Sequence, residues 1–281
     1  MDAAVKGETP SGKGAADENF PVGSWLIPRA LRPHVASYYA FARAIDDIAD
    51  NPDLAADDKV MRLEGFAAAL NGQNSDPVYA KAHALRRTLD ATGISARHGL
   101  DLISAFKQDA VKPRYETWDE LIDYCLRSAA PVGRFLCDLH GEDTALYPLS
   151  DALCNALQVI NHLQDCAKDY AAMDRVYLPQ EWMRAEGATV EDLKNTSATG
   201  GLRRVLDRCV TGTEALLADA RKLPRAMNHR SLAAETAVIV SIADTLTARL
   251  SRQDPLAMRV ALGPVGAASA AARGLLRLWY A

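Results

Sequence analysis

The sequence predicts an all-α fold, and three observations carry that reading. Ala and Leu are abundant while β-branched and aromatic runs are scarce; no stretch alternates strictly between apolar and polar residues; and apolar residues recur at helical spacing between Pro, Gly and Asn punctuation. At 281 residues the chain is long enough to bury a sizeable core. It reads as a tail over 1–18 followed by a single helical domain over 19–281.

Residues 1–18, with Gly7, Pro10, Gly12 and Gly14, have no apolar period and are expected to be disordered, with order beginning near Asn19-Phe20-Pro21. Pro33 suits the first turn of a helix that runs to about Ala49 and stops at Asn51-Pro52-Asp53. Helical patterns follow at roughly 54–70, 77–91, 95–109 and 117–128, divided by Asn71-Gly72, by Gly93 and by the charged turn Lys112-Pro113-Arg114-Tyr115. Ala130-Pro131-Val132-Gly133 then interrupts the helix that bears Tyr124, because Pro131 lacks an N–H and Gly133 permits unusual dihedrals. Such a break in a buried helix suits close backbone approach to a ligand. Pro148-Leu149-Ser150-Asp151 opens a long helix with Ser150 as the expected N-cap. After a loop containing Arg175-Val176-Tyr177-Leu178-Pro179, helices are expected at about 199–221, 231–251 and 255–279, the last interrupted at Gly263-Pro264. No repeat of solenoid period is present.

Charge and composition exclude several functions. With 32 basic and 36 acidic residues and no basic run interleaved with aromatics, nucleic acid is not an expected partner. The five cysteines, Cys125, Cys137, Cys154, Cys166 and Cys209, show no Cys-x-x-Cys spacing and suit a reducing compartment as small core residues. The polar N-terminus does not read as a signal peptide, and no apolar run of bilayer length stands out, so a cytoplasmic location is expected. The Leu275, Leu276, Leu278, Trp279, Tyr280 end reads first as a core-packing helix and second as an apolar tip for peripheral contact with the inner face of the membrane. Gly-x-Ser-x-Gly, His-Glu-x-x-His, P-loop and Gly-x-Gly-x-x-Gly patterns are all missing.

Two acidic clusters remain, each inside an apolar helical stretch and each repeating Asp at i and i+4. On a wheel of about 100° per residue, Arg43, Asp46 and Asp50 fall within about 40° of Tyr39, opposite the apolar stripe of Phe41, Ile45 and Ile48. Gln158, His162, Asp165 and Asp169 share a second stripe, flanked by Asn161 and Lys168 and turned away from Leu153, Leu157 and Ile160. One such repeat alone is ordinary surface charge. Two of them, both with hydrogen-bonding companions at helical spacing and the second crowded by Leu163, Cys166, Ala167 and Tyr170, point to a site. Two such faces turned toward each other suit hard divalent cations such as Mg²⁺, which bind through one or two carboxylates and share their remaining coordination with phosphate oxygens. The metals would then hold a diphosphate and neutralise the charge that develops as its carbon–oxygen bond breaks. Arg43, Lys168 and Arg175 offer direct cationic contacts. His162 has two readings, a core residue or one that orders water or phosphate.

From about Glu18 onward the sequence resembles the squalene/phytoene synthase family. The residues that carry the resemblance are Tyr39-Ala-Phe-Ala-Arg43-Ala-Ile-Asp46-Asp47-Ile-Ala-Asp50, then Gln158-x-x-Asn161-x-x-Gln164-Asp165-x-x-x-Asp169, Arg175-Val-Tyr177-Leu-Pro179, and Tyr124-Cys125-Leu-Arg127-Ser128-Ala-Ala-Pro131-Val132-Gly133-Arg134. The resemblance implies an all-α prenyl-synthase (isoprenoid synthase) fold, with helices around a central cavity and two acidic motifs facing each other across Mg²⁺ (or Mn²⁺) and diphosphate. It implies Asp46, Asp50, Asp165 and Asp169 as metal ligands and catalytic residues, and Arg43 and Asn161 as diphosphate contacts. Tyr39, Tyr124, Val132, Gly133, Gln158 and Tyr177 would line the substrate channel.

Within the family, the Glu18-Asn19-Phe20-Pro21-Val22 opening, the Arg-Ser-Ala-Ala-Pro-Val-Gly-Arg segment and the Gln164-Asp165 pair most resemble the bacterial branch that makes hydroxysqualene for hopanoids. Condensing members generally carry arginine where this chain has Gln164, and the absence of that cation suits an enzyme holding one diphosphate rather than two. The implied reaction is metal-assisted loss of diphosphate from presqualene diphosphate, rearrangement of the cyclopropylcarbinyl cation and capture by water, with no NADPH. His162, Gln164 and Asn161 are the candidates for placing that water, and His162 departs from the aromatic residue often found beside Asn161. The alternatives are a head-to-head condensing synthase making presqualene diphosphate or phytoene, and a non-catalytic assembly or lipid-binding relative, a class that tends to lose the aspartates kept here.

Overall fold

The structure, a computed structural model, describes Glu8 and residues 26–280, so the expected tail over 1–18 and the Asn19-Phe20-Pro21 start lie outside the described residues apart from Glu8. The described residues are all-α, with no strand among them and one isolated bridge, Arg114 to Val176. They form two compact units divided between Lys112 and Pro113.

The first unit holds α1 (Arg32–Ala49), α2 (Ala56–Leu70), α3 (Ala80–Thr92) and α4 (Arg97–Asp109). A proline stands in the first turn of α1, where its missing N–H costs no helical hydrogen bond. Phe41, Ile45 and Ile48, the apolar stripe read from the sequence, are fully buried. A Cβ on Gly99 of α4 would lie 3.3 Å from the Phe41 ring, so the missing side chain lets α4 approach α1. Gly93 ends α3 in the left-handed region, φ 72°, with its N–H on the Leu89 carbonyl.

The second unit holds α5 (Trp118–Ser128), α6 (Ala130–Leu139), α7 (Tyr147–Met173), α8 (Gln180–Ala185), α9 (Gly200–Ala220), α10 (Leu223–Ala226), α11 (Arg230–Leu250) and α12 (Pro264–Tyr280). Thr117 and Thr199 cap α5 and α9 by accepting the N–H groups of Glu120 and Leu202. The 27-residue α7 is the spine, packed by α5, α6, α9 and α11.

Several expectations need correction. The break between α5 and α6 falls at Ala129, φ −125° and ψ −47°, and Pro131 occupies the first turn of the new helix. Gly133 lies within α6 and is not among the described glycines with positive φ. Its role is packing: a Cβ there would stand 2.4 Å from Ser150 Oγ and 2.6 Å from Cys154 Sγ of α7. Ser150 is therefore no N-cap but a buried residue inside α7, whose cap is Leu146. The pattern over 255–263 is not helical; α12 begins at Pro264. Backbone carbonyls of that connection are taken up instead by side chains, Val260 O by Gln164 and Ala261 O by Arg249.

α11 is apolar and long enough to cross a membrane, which the sequence reading had not singled out, but 72% of its most apolar window is buried within the protein. It is a core helix. α12 docks on it through Ala270 and Gly274; a Cβ on Gly274 would meet the Ala237 carbonyl oxygen at 2.3 Å. The tip of α12 departs from the core-packing expectation, with Leu276, Trp279 and Tyr280 exposed.

Candidate active site

In the first unit, α1 gathers Tyr39, Arg43, Asp46 and Asp50 on one stripe. Arg43 forks across two carboxylates, with Nη1 2.9 Å from Asp46 Oδ2 and Nη2 2.5 Å from Asp47 Oδ1. Asp47 is buried while Asp46 and Asp50 are half-buried, so the guanidinium is anchored on its inner side by Asp47 and shared with Asp46. Desolvation, and then the like charge of Asp50, raise the Asp46 carboxyl well above the usual carboxylate range, with Arg43 pulling the other way. Sequence reasoning assigned Asp47 no role; its place one residue off the stripe, at i+4 from Arg43, is the signal for this anchor.

In the second unit, α7 carries Gln158, Asn161, His162, Gln164, Asp165, Lys168 and Asp169. Asp165 and Asp169 are half-buried one turn apart, and Lys168 is exposed on their flank. Gln164 turns its amide to the connection before α12, with Nε2 donating to Val260 O at 2.6 Å. His162 is buried, and its Nε2 has no hydrogen-bond partner among the described residues. Burial, and then the charge of Arg175, depress the His162 pKa to about 3, so the imidazole is neutral at physiological pH.

The end of α7 shapes the rest. Asp174 adopts the left-handed conformation, φ 53°, and Arg114 holds its carbonyl and its carboxylate. This sets the next residues running parallel to 113–115, with Val176 N–H donating to Pro113 O and Gln180 N–H to Tyr115 O. Tyr177 is thereby stacked on His162, ring centroids 3.6 Å apart and 15° between planes, with Tyr115 and Tyr124 packed at 5.5 and 5.6 Å from it. Arg175 is buried beside them. Tyr115 was missed by sequence reasoning, which saw only a charged turn. Of the expected channel residues, Val132 is exposed on α6 while Gly133 is turned against α7.

Among the described residues no group of three or more His, Cys, Asp or Glu side chains is gathered to hold a metal unaided. α1 and α7 instead each carry a pair of aspartates about one turn apart. That fits Mg²⁺, which keeps waters and takes one or two carboxylates plus substrate oxygens, and the mutual repulsion of Asp46 and Asp50 is what a cation would relieve.

A sequence profile described as squalene/phytoene synthase matches residues 14–265. The chain is 46% identical over 253 residues to a hydroxysqualene synthase of Zymomonas mobilis, covering 89% of this chain and 84% of that protein. It is 45% identical over 258 residues to a hydroxysqualene synthase of Rhodopseudomonas palustris, covering 92% and 88%. Among solved structures it is similar to the squalene synthase HpnC from Alicyclobacillus acidocaldarius, with a TM-score of 0.72 and 35% identity over 83% of this chain and 87% of that one.

Proposed function

The chain belongs to the squalene/phytoene synthase family, and from that premise we propose that it is a hydroxysqualene synthase, converting presqualene diphosphate and water to hydroxysqualene and diphosphate. The observation that carries this reading is the similarity to hydroxysqualene synthases over about nine-tenths of the chain, 92% in the case of the Rhodopseudomonas protein. The Gln164 contact supports it. Where condensing relatives generally carry a cation, this chain has an amide committed to the Val260 carbonyl, which leaves one fewer positive group for a second diphosphate.

The roles follow from the chemistry of each group. Asp46 with Asp50, and Asp165 with Asp169, are the carboxylates that would hold Mg²⁺ or Mn²⁺, whose charge stabilises diphosphate as a leaving group when bound. Arg43 exchanges Asp46 for a diphosphate oxygen while Asp47 keeps it anchored. In the second unit, Asn161, Lys168 and Arg175 are the polar groups available to a diphosphate. Tyr39, Val132 and Gln158 contact the prenyl chains, and Gly133 sets the closeness of α6 to α7. Tyr124 and Tyr177, packed on each other and on His162, are the aromatic wall of the channel that shields the allylic and cyclopropylcarbinyl cations from water. The exposed tip of α12, Leu276, Trp279 and Tyr280, is the surface for a peripheral membrane contact suited to an oily substrate and product.

Two incubations of the purified protein with Mg²⁺ test the reading. Presqualene diphosphate as sole organic substrate is expected to yield the triterpene alcohol, and farnesyl diphosphate alone is expected to persist. Consumption of farnesyl diphosphate with release of presqualene diphosphate would overturn it in favour of a condensing synthase.

A further inference from the structure

We propose that His162 is the residue that positions the captured water, and thereby sets the alcohol as the product; this rests on the hydroxysqualene synthase reading above.

Three observations within the second unit converge on it. First, His162 is 6% exposed and its Nε2 is buried without a partner among the described residues, although leaving a buried polar atom unsatisfied is costly. A nitrogen in that state favours a small polar guest. Second, its place on α7 is graded by helix geometry: it shares the stripe of Asp165 and Asp169, one turn before the first and two before the second. Third, the ring lies flat on Tyr177 at 3.6 Å and within 6.1 Å of Tyr124, so the imidazole is fixed in place by the aromatic rings assigned to the channel wall.

The competing candidates carry less. The Gln164 amide is engaged with Val260, and Asn161 sits on the flank of the stripe, in the roles of tether and diphosphate contact. A neutral imidazole suits the task chemically, because burial and then Arg175 hold it unprotonated and one ring nitrogen presents a lone pair.

The carbon–oxygen bond to diphosphate breaks and its electron pair leaves with diphosphate; after rearrangement, the oxygen of water held at Nε2 donates a lone pair to the cationic carbon. The new carbon–oxygen bond forms as a water proton passes to Nε2, and the imidazolium then releases it to the departing diphosphate. Without the placed water, the same cation loses a proton from carbon and ends as a triterpene hydrocarbon.

The experiment compares the wild-type protein with His162→Phe, which keeps a ring on Tyr177, and with His162→Gln, which restores an acceptor. Each is incubated with presqualene diphosphate and Mg²⁺, and the ratio of triterpene alcohol to hydrocarbon is read by gas chromatography with mass detection. His162→Phe is expected to lower that ratio at least tenfold and His162→Gln to recover most of it. An unchanged ratio in His162→Phe, whether or not total turnover falls, overturns the assignment and leaves His162 a packing residue. Failure of the wild type itself to make the alcohol overturns the functional reading and this inference with it, so the two failures are distinguishable.

Discussion

Gln164→Met removes one hydrogen bond while keeping the length of the side chain, and its consequence is calculable from the contact it breaks. Gln164 Nε2 donates to Val260 O at 2.6 Å, and Val260 is 1% exposed. A typical hydrogen bond contributes about 1 kcal/mol net, but a carbonyl left buried without its donor costs about 1–3 kcal/mol, and the second figure governs here. For a chain of this size each kcal/mol moves the midpoint of thermal unfolding by about 2 °C, so the expected loss is about 2–6 °C by calorimetry. The connection 251–263 is also held by Arg249 on Ala261 O, so the variant should loosen that segment without unfolding the second unit. Turnover of presqualene diphosphate should fall by less than tenfold, since the amide serves as a tether. A variant with unaltered stability but turnover reduced 100-fold or more would refute the reasoning, placing the Gln164 amide on substrate.

Asp46→Asn and Asp165→Asn should each lower kcat about 10²–10³-fold with presqualene diphosphate, the scale of losing one electrostatic contact to a leaving group. Without metal, Asp46→Asn should be at least as stable as the wild type, because the replaced carboxyl is raised by burial and by Asp50; Mg²⁺ is expected to shift thermal unfolding of the wild type upward and to leave that of the variant unchanged. His162 supplies a pH signature: its folded pKa, about 3, lies below the ordinary 6.5, so its contribution is intact above pH 6.5 and is lost as pH falls from there toward 3. The slope approaches roughly 1.4 kcal/mol per pH unit, and urea unfolding of His162→Phe should show it reduced by that amount relative to wild type. Gly274→Ala would place a methyl 2.3 Å from the Ala237 carbonyl oxygen, a backbone atom with no rotamer to yield, and should destabilise the packing of α12 by about 1–3 kcal/mol despite better helix propensity; protection of α12 amides from hydrogen exchange measures it.

The helices and both carboxylate stripes were legible because each is a local property. Apolar period and punctuation by Pro, Gly and Asn placed the long helices within a few residues, and the wheel that set Asp46 apart from Phe41, Ile45 and Ile48 needs no tertiary information. What failed was context. Gly133 and Ser150 are each other's explanation, a missing Cβ facing a buried hydroxyl across two helices, and each read alone suggested a different local role, backbone freedom for one and an N-cap for the other. The Arg175–Pro179 segment was visible as a motif, but its pairing with Pro113–Tyr115 depends on the left-handed turn at Asp174, a residue whose identity only weakly announces that conformation. Tyr115 joined the aromatic group by that pairing and was therefore out of reach of periodicity. His162 had two readings in the sequence, and its flat stack on Tyr177 with Nε2 unpartnered gives the choice between them its physical ground.

Ionisation followed by water capture is the central chemical claim, and isotope labelling addresses it directly. The wild-type protein is turned over with presqualene diphosphate and Mg²⁺ in water enriched in ¹⁸O, and the alcohol is analysed by mass spectrometry. One ¹⁸O per molecule of rearranged hydroxysqualene is the predicted result, because the carbon–oxygen bond to diphosphate breaks and solvent supplies the new oxygen. Unlabelled alcohol with the presqualene skeleton, its oxygen kept from the ester while the label enters phosphate, would contradict the account.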